Sequence, residues 1–230
     1  RIRELKVNGE LPSPVTVKVR GGTYRLSRPL VFEPGDSGSE ENPVVYKAHA
    51  GESVTVTGAR LVTGNWEKHE GNIYKIYLPE VKSENWHFRQ LFANGKRQVR
   101  ARIPNDGYYH VHEIIPGENA QSRFTYREGD IKQWRNLQDV ELILFHSCDE
   151  SRINIREIDE TRNVVILRHE SHYPFDRWAG HYEGRLNSRY YAENVFEGLD
   201  SPGEWYLDKH TGYLYFWPPG GESVEGMEIE

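Results

Sequence analysis

The stretch Pro14–Leu26, with the sequence PVTVKVRGGTYRL, predicts the architecture of the first part of the chain. Val15, Val17 and Val19 alternate with polar residues, and this period of two is typical of a strand with one buried face. The Gly-Gly pair that follows marks a turn, after which a second short strand is expected. The stretch therefore predicts two short strands joined by a glycine turn.

The same alternation of short strands and turns continues to about residue 62. The segments PLVFEPGDSG (29–38), NPVVYKAHAG (42–51) and ESVTVTGA (52–59) each combine apolar residues with turn residues. Strands that are turned by glycine and recur every ~20–30 residues are typical of a solenoid. We therefore expect the first rungs of a solenoid here, with an ordinary β-sandwich as the alternative.

A short helix is predicted ahead of these strands. Ile2 and Leu5 have helical spacing, Lys6 suits the last turn, and Asn8-Gly9 supplies a stop signal. The open end of a solenoid exposes strand edges, so we expect this helix to act as a cap. The chain has no initiator methionine, and we interpret it as a piece of a longer protein.

From about residue 65 the pattern changes to strands joined by hairpins. NIYKIYLP (72–79) is one such strand, and Asn94-Gly95 predicts a two-residue hairpin turn. In the arm after this turn, residues 99, 101 and 103 are expected on one face and residues 98, 100 and 102 on the other. Capping patterns at Asp130 and Asn194 predict two helical turns. The whole region fits an antiparallel sandwich of about ten strands.

The hairpin SPGEWYLDKHTGYLYFW (201–217) holds a high density of aromatic residues. Trp205 and Leu207 share one face of the first arm and Tyr206 takes the other, so both faces are apolar. Such a hairpin is either a platform for sugars or part of a core. Because both faces are apolar, we favour a hairpin buried on both sides between the β-domain and the solenoid.

Composition excludes several classes of protein. The net charge is −6 and the isoelectric point is near 6.0, which argues against nucleic acid as a partner. The sequence has no run of about 18 apolar residues, so no transmembrane helix is predicted. Cys148 is the single cysteine, which excludes a disulfide framework and a cysteine-rich zinc site.

Carboxylates are numerous, but the sequence does not predict a catalytic pair. A glycoside hydrolase needs two carboxyl groups about 5–9 Å apart. Glu141 alternates with apolar neighbours, and we interpret it as a surface residue. The remaining acids that we considered fall in predicted turns: Asp36, Glu40, Glu41, Asp149, Glu150, Asp159 and Glu160.

Metal and cofactor sites are also not predicted. His110 and His112 lie on one side of a possible strand, but zinc needs further ligands. No glycine-rich phosphate loop opens a helix. We expect neither a metal nor a cofactor in this chain.

The segment from Ser171 to Tyr191 is the best sequence candidate for a binding loop. It is long and lacks periodicity, and long loops are often functional. Aromatic rings beside arginine and asparagine suit sugars, but packing between domains uses the same residue types. The residues concerned are Phe175, Trp178, His181, Tyr182, Arg185, Asn187 and Arg189.

Five segments in a fixed order carry a resemblance to a known family. They are GGTYRL (21–26), PLVFEPGDSGSEENPVVYKAHAGE (29–52), FANGKRQVRARIPN (92–105), FHSCDESRINI (145–155) and RYYAENVFEGLDSPGEWYLDKHTGYLYFWPP (189–219). In this order the chain resembles the N-terminal part of bacterial right-handed parallel β-helix proteins, notably glycoside hydrolase family 141. That resemblance implies a β-sandwich-like domain inserted after the first rungs of the helix. It also implies secreted or periplasmic enzymes that act on plant polysaccharides, with α-L-fucosidase and xylanase among the activities.

The resemblance places the catalytic acids on later rungs, beyond residue 230, so no catalytic residue is assigned in this chain. We predict an all-β chain with a cap and first β-helix rungs at 1–62. An inserted antiparallel β-domain follows at 63–224, and the chain returns to the helix at 225–230. A fragment of this kind is expected to be inactive alone, to cap the solenoid and to wall the substrate cleft.

Two other classes compete with this prediction: a piece of a β-helix polysaccharide lyase, and a carbohydrate-binding or adhesin-like module. The net charge of −6 does not favour the anionic substrate that a lyase needs. If the chain contacts sugar, the candidate residues are Trp178, His181, Tyr182 and Arg185, with Arg100 and Arg102 behind them. The expected partners are a plant polysaccharide and the rest of the β-helix, with no nucleic acid and no membrane.

Overall fold

The computed structural model describes residues 2–9, 14–146, 149–175, 188–221 and 223–230. It divides into two compact units. The first unit comprises Arg1–Leu61 together with Glu230, and the second comprises Val62–Ile229. Within the described ranges, no helix is long and apolar enough to cross a lipid bilayer.

The first unit contains one helix and four strands. These are α1 (Ile2–Val7), β1 (Val15–Val19), β2 (Gly22–Arg25), β3 (Val44–Ala48) and β4 (Val54–Thr57), with a 3-10 turn at Pro34–Asp36 between β2 and β3. The predicted helix is confirmed, and its stop is the left-handed backbone of Gly9, whose φ of 66° suits glycine. The alternation in β1 is also confirmed, since Val15 is buried while Thr16 and Lys18 are exposed.

The strands of the first unit pair in parallel. β1 pairs with β3, which places Val15 beside Val44 and Val17 beside Tyr46. β2 pairs with β4, with Tyr24 beside Val56. Each pair forms a two-stranded sheet. The connection between paired strands is long, as parallel pairing requires.

The second unit contains a sheet of five strands built around the aromatic hairpin, which we call the hairpin sheet. Its strand order is β5-β6-β18-β17-β9. The strands are β5 (Glu67–Glu70), β6 (Ile73–Tyr77), β9 (Val99–Arg100), β17 (Glu204–Asp208) and β18 (Tyr213–Phe216). A short helix, α2 (Pro79–Lys82), and the small hairpin of β7 (Phe92–Ala93) and β8 (Lys96–Arg97) accompany it.

The aromatic hairpin occupies the middle of this sheet, and its predicted burial on both faces is confirmed. Trp205, Leu207, Leu214 and Phe216 pack into one cluster, and Tyr206 and Tyr215 into another. Both clusters consist of residues of the second unit. The hairpin is therefore core, and the apolar character of its two faces is explained by cover on both sides.

A second sheet of seven strands, which we call the large sheet, completes the second unit. Its order is β10-β16-β13-β14-β15-β12, and β11 pairs with β16 beside β10. The strands are β10 (Arg102–Ile103), β11 (Tyr109–His110), β12 (Arg123–Thr125), β13 (Glu141–Phe145), β14 (Glu150–Asp159), β15 (Val164–Leu167) and β16 (Arg189–Glu193). A bridge between Glu113 and Thr125 joins the chain after β11 to β12 at the opposite edge. The sheet therefore closes around an apolar core that includes Phe124, Leu142 and Tyr190.

The all-β prediction is confirmed, as are the strand at 73–77 and the Asn94-Gly95 turn between β7 and β8. Both turn residues have positive φ, 50° for Asn94 and 71° for Gly95, which is the geometry of a tight hairpin. The alternation of faces that was predicted for residues 98–103, after this turn, is wrong in part. Val99 is 50% exposed, because the strand is interrupted at Ala101 and its two halves, β9 and β10, belong to different sheets.

Of the two predicted helical turns, the one after Asp130 is wrong, and the one after Asn194 is confirmed as a 3-10 turn without the predicted cap. No helix starts at Asp130; a 3-10 turn comes later, at Leu137–Asp139. Asn194 precedes a 3-10 turn at Phe196–Gly198, but its side chain does not cap it. Its amide instead accepts a hydrogen bond from the Leu207 backbone N–H at 3.1 Å and donates one to the Leu207 carbonyl at 3.1 Å. Asn194 thus joins the large sheet to the hairpin, a contact between positions distant in sequence.

Candidate functional site

The candidate site lies on the outer face of the large sheet, opposite the core. Because side chains alternate along a strand, Leu142 and Leu144 of β13 enter the core while their neighbours point away. The same alternation in β16 sends Tyr190 inward. The outer-facing residues of the three central strands are Glu141, Ile143, Phe145, Glu150, Arg152, Arg189, Tyr191 and Glu193.

Glu141 is the centre of an ion-pair network at one end of this face. Arg89 donates to it from Nη2 at 2.7 Å and from Nε at 3.1 Å, and Arg100 donates from Nη1. Arg152 Nη1 lies 3.7 Å from Glu141 and 2.5 Å from Glu193. Arg100 also reaches Glu193, at 3.3 Å. Glu141 and Glu193 are direct cross-strand partners, so the arginines bridge two adjacent carboxylates.

The surface interpretation of Glu141 is wrong, since the residue is 2% exposed. Glu141 does point away from the core, as the strand alternation predicts. The outer face is covered at this position by Arg89 and by Arg100, which belongs to β9 of the hairpin sheet. Arg100 itself is buried and lies 5.7 Å from the centre of the Trp205 ring. A partner separated by 41 or 52 positions leaves no local signal in the sequence.

Glu141 is ionised at neutral pH. Burial opposes its ionisation and is the largest single effect, but the hydrogen bond from Arg89 and the positive charge of Arg100 outweigh it. Together these lower the pKa of Glu141 to about 2. A general acid in glycoside hydrolysis needs a raised pKa. Glu141 and Glu193 therefore form part of a structural ion-pair network, and Glu141 is unsuited to protonating a leaving group.

The other end of the outer face carries alternating arginine and aromatic side chains. We call Arg102, Tyr108, Phe145, Arg189 and Tyr191 the arginine–aromatic stack. The Arg102 guanidinium lies 3.8 Å from the centre of the Tyr191 ring and 5.9 Å from that of Tyr108. The Arg189 guanidinium lies 4.8 Å from the centre of the Tyr108 ring and 5.5 Å from that of Phe145. These distances are within the range of cation–π attraction.

The stack is held by the backbone of the loop before β11. Arg102 donates from Nε to the carbonyl of Pro104 at 2.9 Å and from Nη2 to the carbonyl of Gly107 at 2.7 Å. These bonds fix the guanidinium plane against Tyr191. Tyr108 remains 41% exposed. The arrangement can therefore offer an aromatic ring and guanidinium donors to a ligand from solvent.

Two clefts in the second unit offer less chemistry. One, of about 550 Å³, is lined by residues that include Gln133, Asn136, Arg156, Glu157 and His210. The other, of about 580 Å³, lies beside the Asn94-Gly95 turn. Among the described residues that line the two clefts, Glu157 is the single residue with a carboxylate. Neither cleft therefore brings together the two acids that glycoside hydrolysis needs.

The residues predicted to contact sugar are distributed as follows. Trp178, His181, Tyr182 and Arg185 lie outside the described residues. Arg102 is half-buried in the arginine–aromatic stack, and Arg100 is buried in the ion-pair network. Phe175, from the same predicted loop, is fully buried and packs against Phe124 at 5.1 Å between ring centres.

The sequence interpretation missed the ring residues of the stack. Tyr108, Phe145 and Tyr191 come from three separate segments, so no local pattern joins them. An available signal was the alternation in RYYAE, which places Arg189, Tyr191 and Glu193 on one face. His110 and His112 were considered for a metal, and among the described residues no group of three or more metal-ligating side chains is found.

The described residues thus combine two large β-sheets with an exposed arginine–aromatic surface. The family model described as "GH141 insertion domain" matches residues 71–219. Since this match covers more than half of the chain, the chain belongs to that family. The resemblance to glycoside hydrolase family 141 is thereby confirmed.

A solved structure titled "Glycoside hydrolase" is similar to this chain, with a TM-score of 0.77 and 25% sequence identity. The similarity covers 99% of this chain and 40% of that chain, so the present chain spans well under half the length of that relative. A comparison with curated proteins gave no match.

Proposed function

We propose that this chain is the non-catalytic N-terminal portion of a polysaccharide-degrading glycoside hydrolase. The observation that carries the proposal is the match to the insertion domain of family 141 over residues 71–219. The coverage of only 40% of the similar glycoside hydrolase supports it, because that chain has ample length beyond the matched part for a catalytic region. The catalytic acids are then expected beyond residue 230.

In this proposal, residues 1–62 form the cap and first rungs of a right-handed parallel β-helix, and residues 225–230 return to it. The in-register parallel pairs β1–β3 and β2–β4 support this, since stacked coils pair in that way. Apolar side chains of these strands are exposed, with Tyr46 at 45% and Val56 at 55%. A following coil would cover such side chains. The ion pair of Glu230 with Arg25 of β2 supports the return of the chain.

The role that we propose for residues 63–224 is to wall the substrate cleft. Trp178, His181, Tyr182 and Arg185 remain the proposed sugar contacts of the loop that leads into β16. Arg102 would support them as part of the stack, and Arg100 would anchor Glu141 behind the surface. The proposed substrate is a plant-type polysaccharide, and the proposed location of the parent enzyme is secreted or periplasmic in a bacterium.

A carbohydrate-binding module is the second candidate function, and the exposed arginine–aromatic stack favours it. A polysaccharide lyase has less support, because the similar structure is titled a glycoside hydrolase.

The release of reducing sugar tests the proposal. The 230-residue chain and a polypeptide extended to the length of the similar structure would be incubated with the same panel of plant polysaccharides, including xylan. We expect hydrolysis by the extended polypeptide and none by the shorter chain. Hydrolysis by the 230-residue chain alone would contradict a non-catalytic role.

A further inference from the structure

Arg189 is a cation without a carboxylate partner at ion-pair distance in the described part of the chain. It lies at the start of β16, is exposed, and makes its described contacts with the rings of Tyr108 and Phe145. By contrast, Arg152 on the neighbouring outer surface pairs with three carboxylates. Among the described residues, no carboxylate therefore occupies the hydrogen-bond donors of Arg189.

The ring contacts hold this guanidinium in a defined position. Tyr108 and Phe145 meet edge to face with their centres 5.2 Å apart, and Tyr108 and Tyr191 are 6.2 Å apart. Arg102, fixed by the loop carbonyls, contacts the rings of Tyr108 and Tyr191 in the same group. A planar guanidinium supported on aromatic rings loses little entropy when it binds a second planar group. The stack is thus organised before any ligand arrives.

The local charge of this face differs from that of the chain. Among the described residues of this face, three arginines (89, 100 and 152) form ion pairs with three glutamates (141, 150 and 193), and two further arginines (102 and 189) contact aromatic rings. The face is therefore positive, although the whole chain carries a net charge of −6. An anion is attracted to such a patch regardless of the total charge.

We propose that the arginine–aromatic stack binds a carbohydrate that carries a carboxylate, such as a uronate residue. The carboxylate accepts a two-pronged hydrogen bond from Arg189, which is the pairing that the guanidinium fork suits best. The apolar face of the sugar ring contacts the exposed ring of Tyr108. The inference rests on the proposed association with a glycoside hydrolase and specifies the substrate class for this surface.

The test is a calorimetric titration of the 230-residue chain with galacturonic acid oligomers and, in parallel, with neutral xylo-oligosaccharides. We expect the acidic oligomers to bind and Arg189→Gln to weaken their binding by at least about tenfold, because a charged bidentate pair is lost. Tyr108→Ala should weaken binding of the acidic oligomers as well. If Arg189→Gln does not fold, Arg189→Lys replaces it; a clear loss of affinity in that variant supports the fork geometry.

Arg162→Gln is the matched control. Arg162 is an exposed arginine paired with Glu118 at 3.3 Å, in the turn that follows Asp159, at the opposite end of β14 from Glu150. The Arg162→Gln substitution removes the same charge from a site far from the stack. The affinity for the acidic oligomers should therefore stay within about twofold of that of the unmodified chain. An equal loss of affinity for the acidic oligomers in Arg162→Gln and Arg189→Gln would overturn the proposal. So would a failure of the unmodified chain to bind these oligomers. An Arg189→Lys variant that binds them as tightly as the unmodified chain would overturn it as well.

The two proposals fail in different ways. Hydrolysis by the extended polypeptide without binding of acidic oligomers by this chain would overturn the binding proposal alone. Binding that depends on Arg189, without hydrolysis by the extended polypeptide, would support the binding surface and contradict the proposed glycoside hydrolase function.

Discussion

At the scale of single residues, the buried carboxylate of Glu141 shows how a charge is accommodated between two sheets. An isolated buried charge is costly, and it persists only with several charged hydrogen bonds. Arg89, Arg100 and Arg152 supply them, and Glu193 shares two of these arginines. The same arginine-rich surface continues into the arginine–aromatic stack, so a structural network and a proposed binding surface share one face.

Glu141→Gln should destabilise the second unit strongly. The amide keeps the shape of the side chain but removes its charge, which leaves the buried Arg100 with less compensation. We expect a loss of about 3 kcal/mol or more in the free energy of unfolding, as when one partner of a buried pair is removed. Urea unfolding at neutral pH measures it. Glu157→Gln, which breaks an exposed pair with Arg156, should cost less than about 1 kcal/mol, and equal costs would contradict a structural role for the network.

Acid should weaken the fold through the same residue. The pKa of Glu141 is lowered to about 2 in the folded chain, while an unfolded glutamate titrates near its ordinary value of 4.5. Its contribution is therefore present above about pH 4.5 and is lost as the pH falls toward 2, by up to about 3 kcal/mol. The stability difference between the unmodified chain and Glu141→Gln should shrink over this range. A difference that is independent of pH would show that Glu141 is not ionised in the fold.

At the scale of elements, the aromatic hairpin β17–β18 is the centre of the second unit, with a cluster on each face. Leu207 is fully buried in β17, while Val99 in the paired strand β9 is 50% exposed. Leu207→Ala should cost about 2–5 kcal/mol through lost packing and the resulting cavity. Val99→Ala should change stability by less than about 0.5 kcal/mol. Thermal or urea unfolding distinguishes the two, and similar effects would mean that the hairpin is not the core described.

An element can be predicted from the sequence when the residues that determine it lie within a few positions of one another. The hairpin 201–217 and the Asn94-Gly95 turn were predicted because alternation and turn residues act over a few positions. The switch of the chain between sheets at Ala101 and the bond from Asn194 to Leu207 were not predicted, since each depends on a distant strand. Likewise, Tyr108, Phe145 and Tyr191 meet only because three separate segments join the large sheet.

At the scale of the whole molecule, the two units differ in the direction in which their strands pair. The first pairs short strands in parallel, and the second consists of two larger, mostly antiparallel sheets. A family match to the second unit and a similar glycoside hydrolase that is much longer than this chain fit an insertion carried by a larger scaffold. Under the proposed function, the catalytic acids of the parent enzyme lie beyond residue 230, and this chain contributes a wall of the substrate cleft.

The most direct test of the account is a crystal structure of a polypeptide that continues well beyond Glu230. We predict that the added sequence forms strands that pair in parallel and in register with the free edges of β3 and β4 and cover Tyr46 and Val56. We also predict that its inward-facing carboxylates supply the catalytic pair. A structure in which no added strand pairs with β3 or β4, or in which two acids within the present residues converge on a bound sugar, would contradict it.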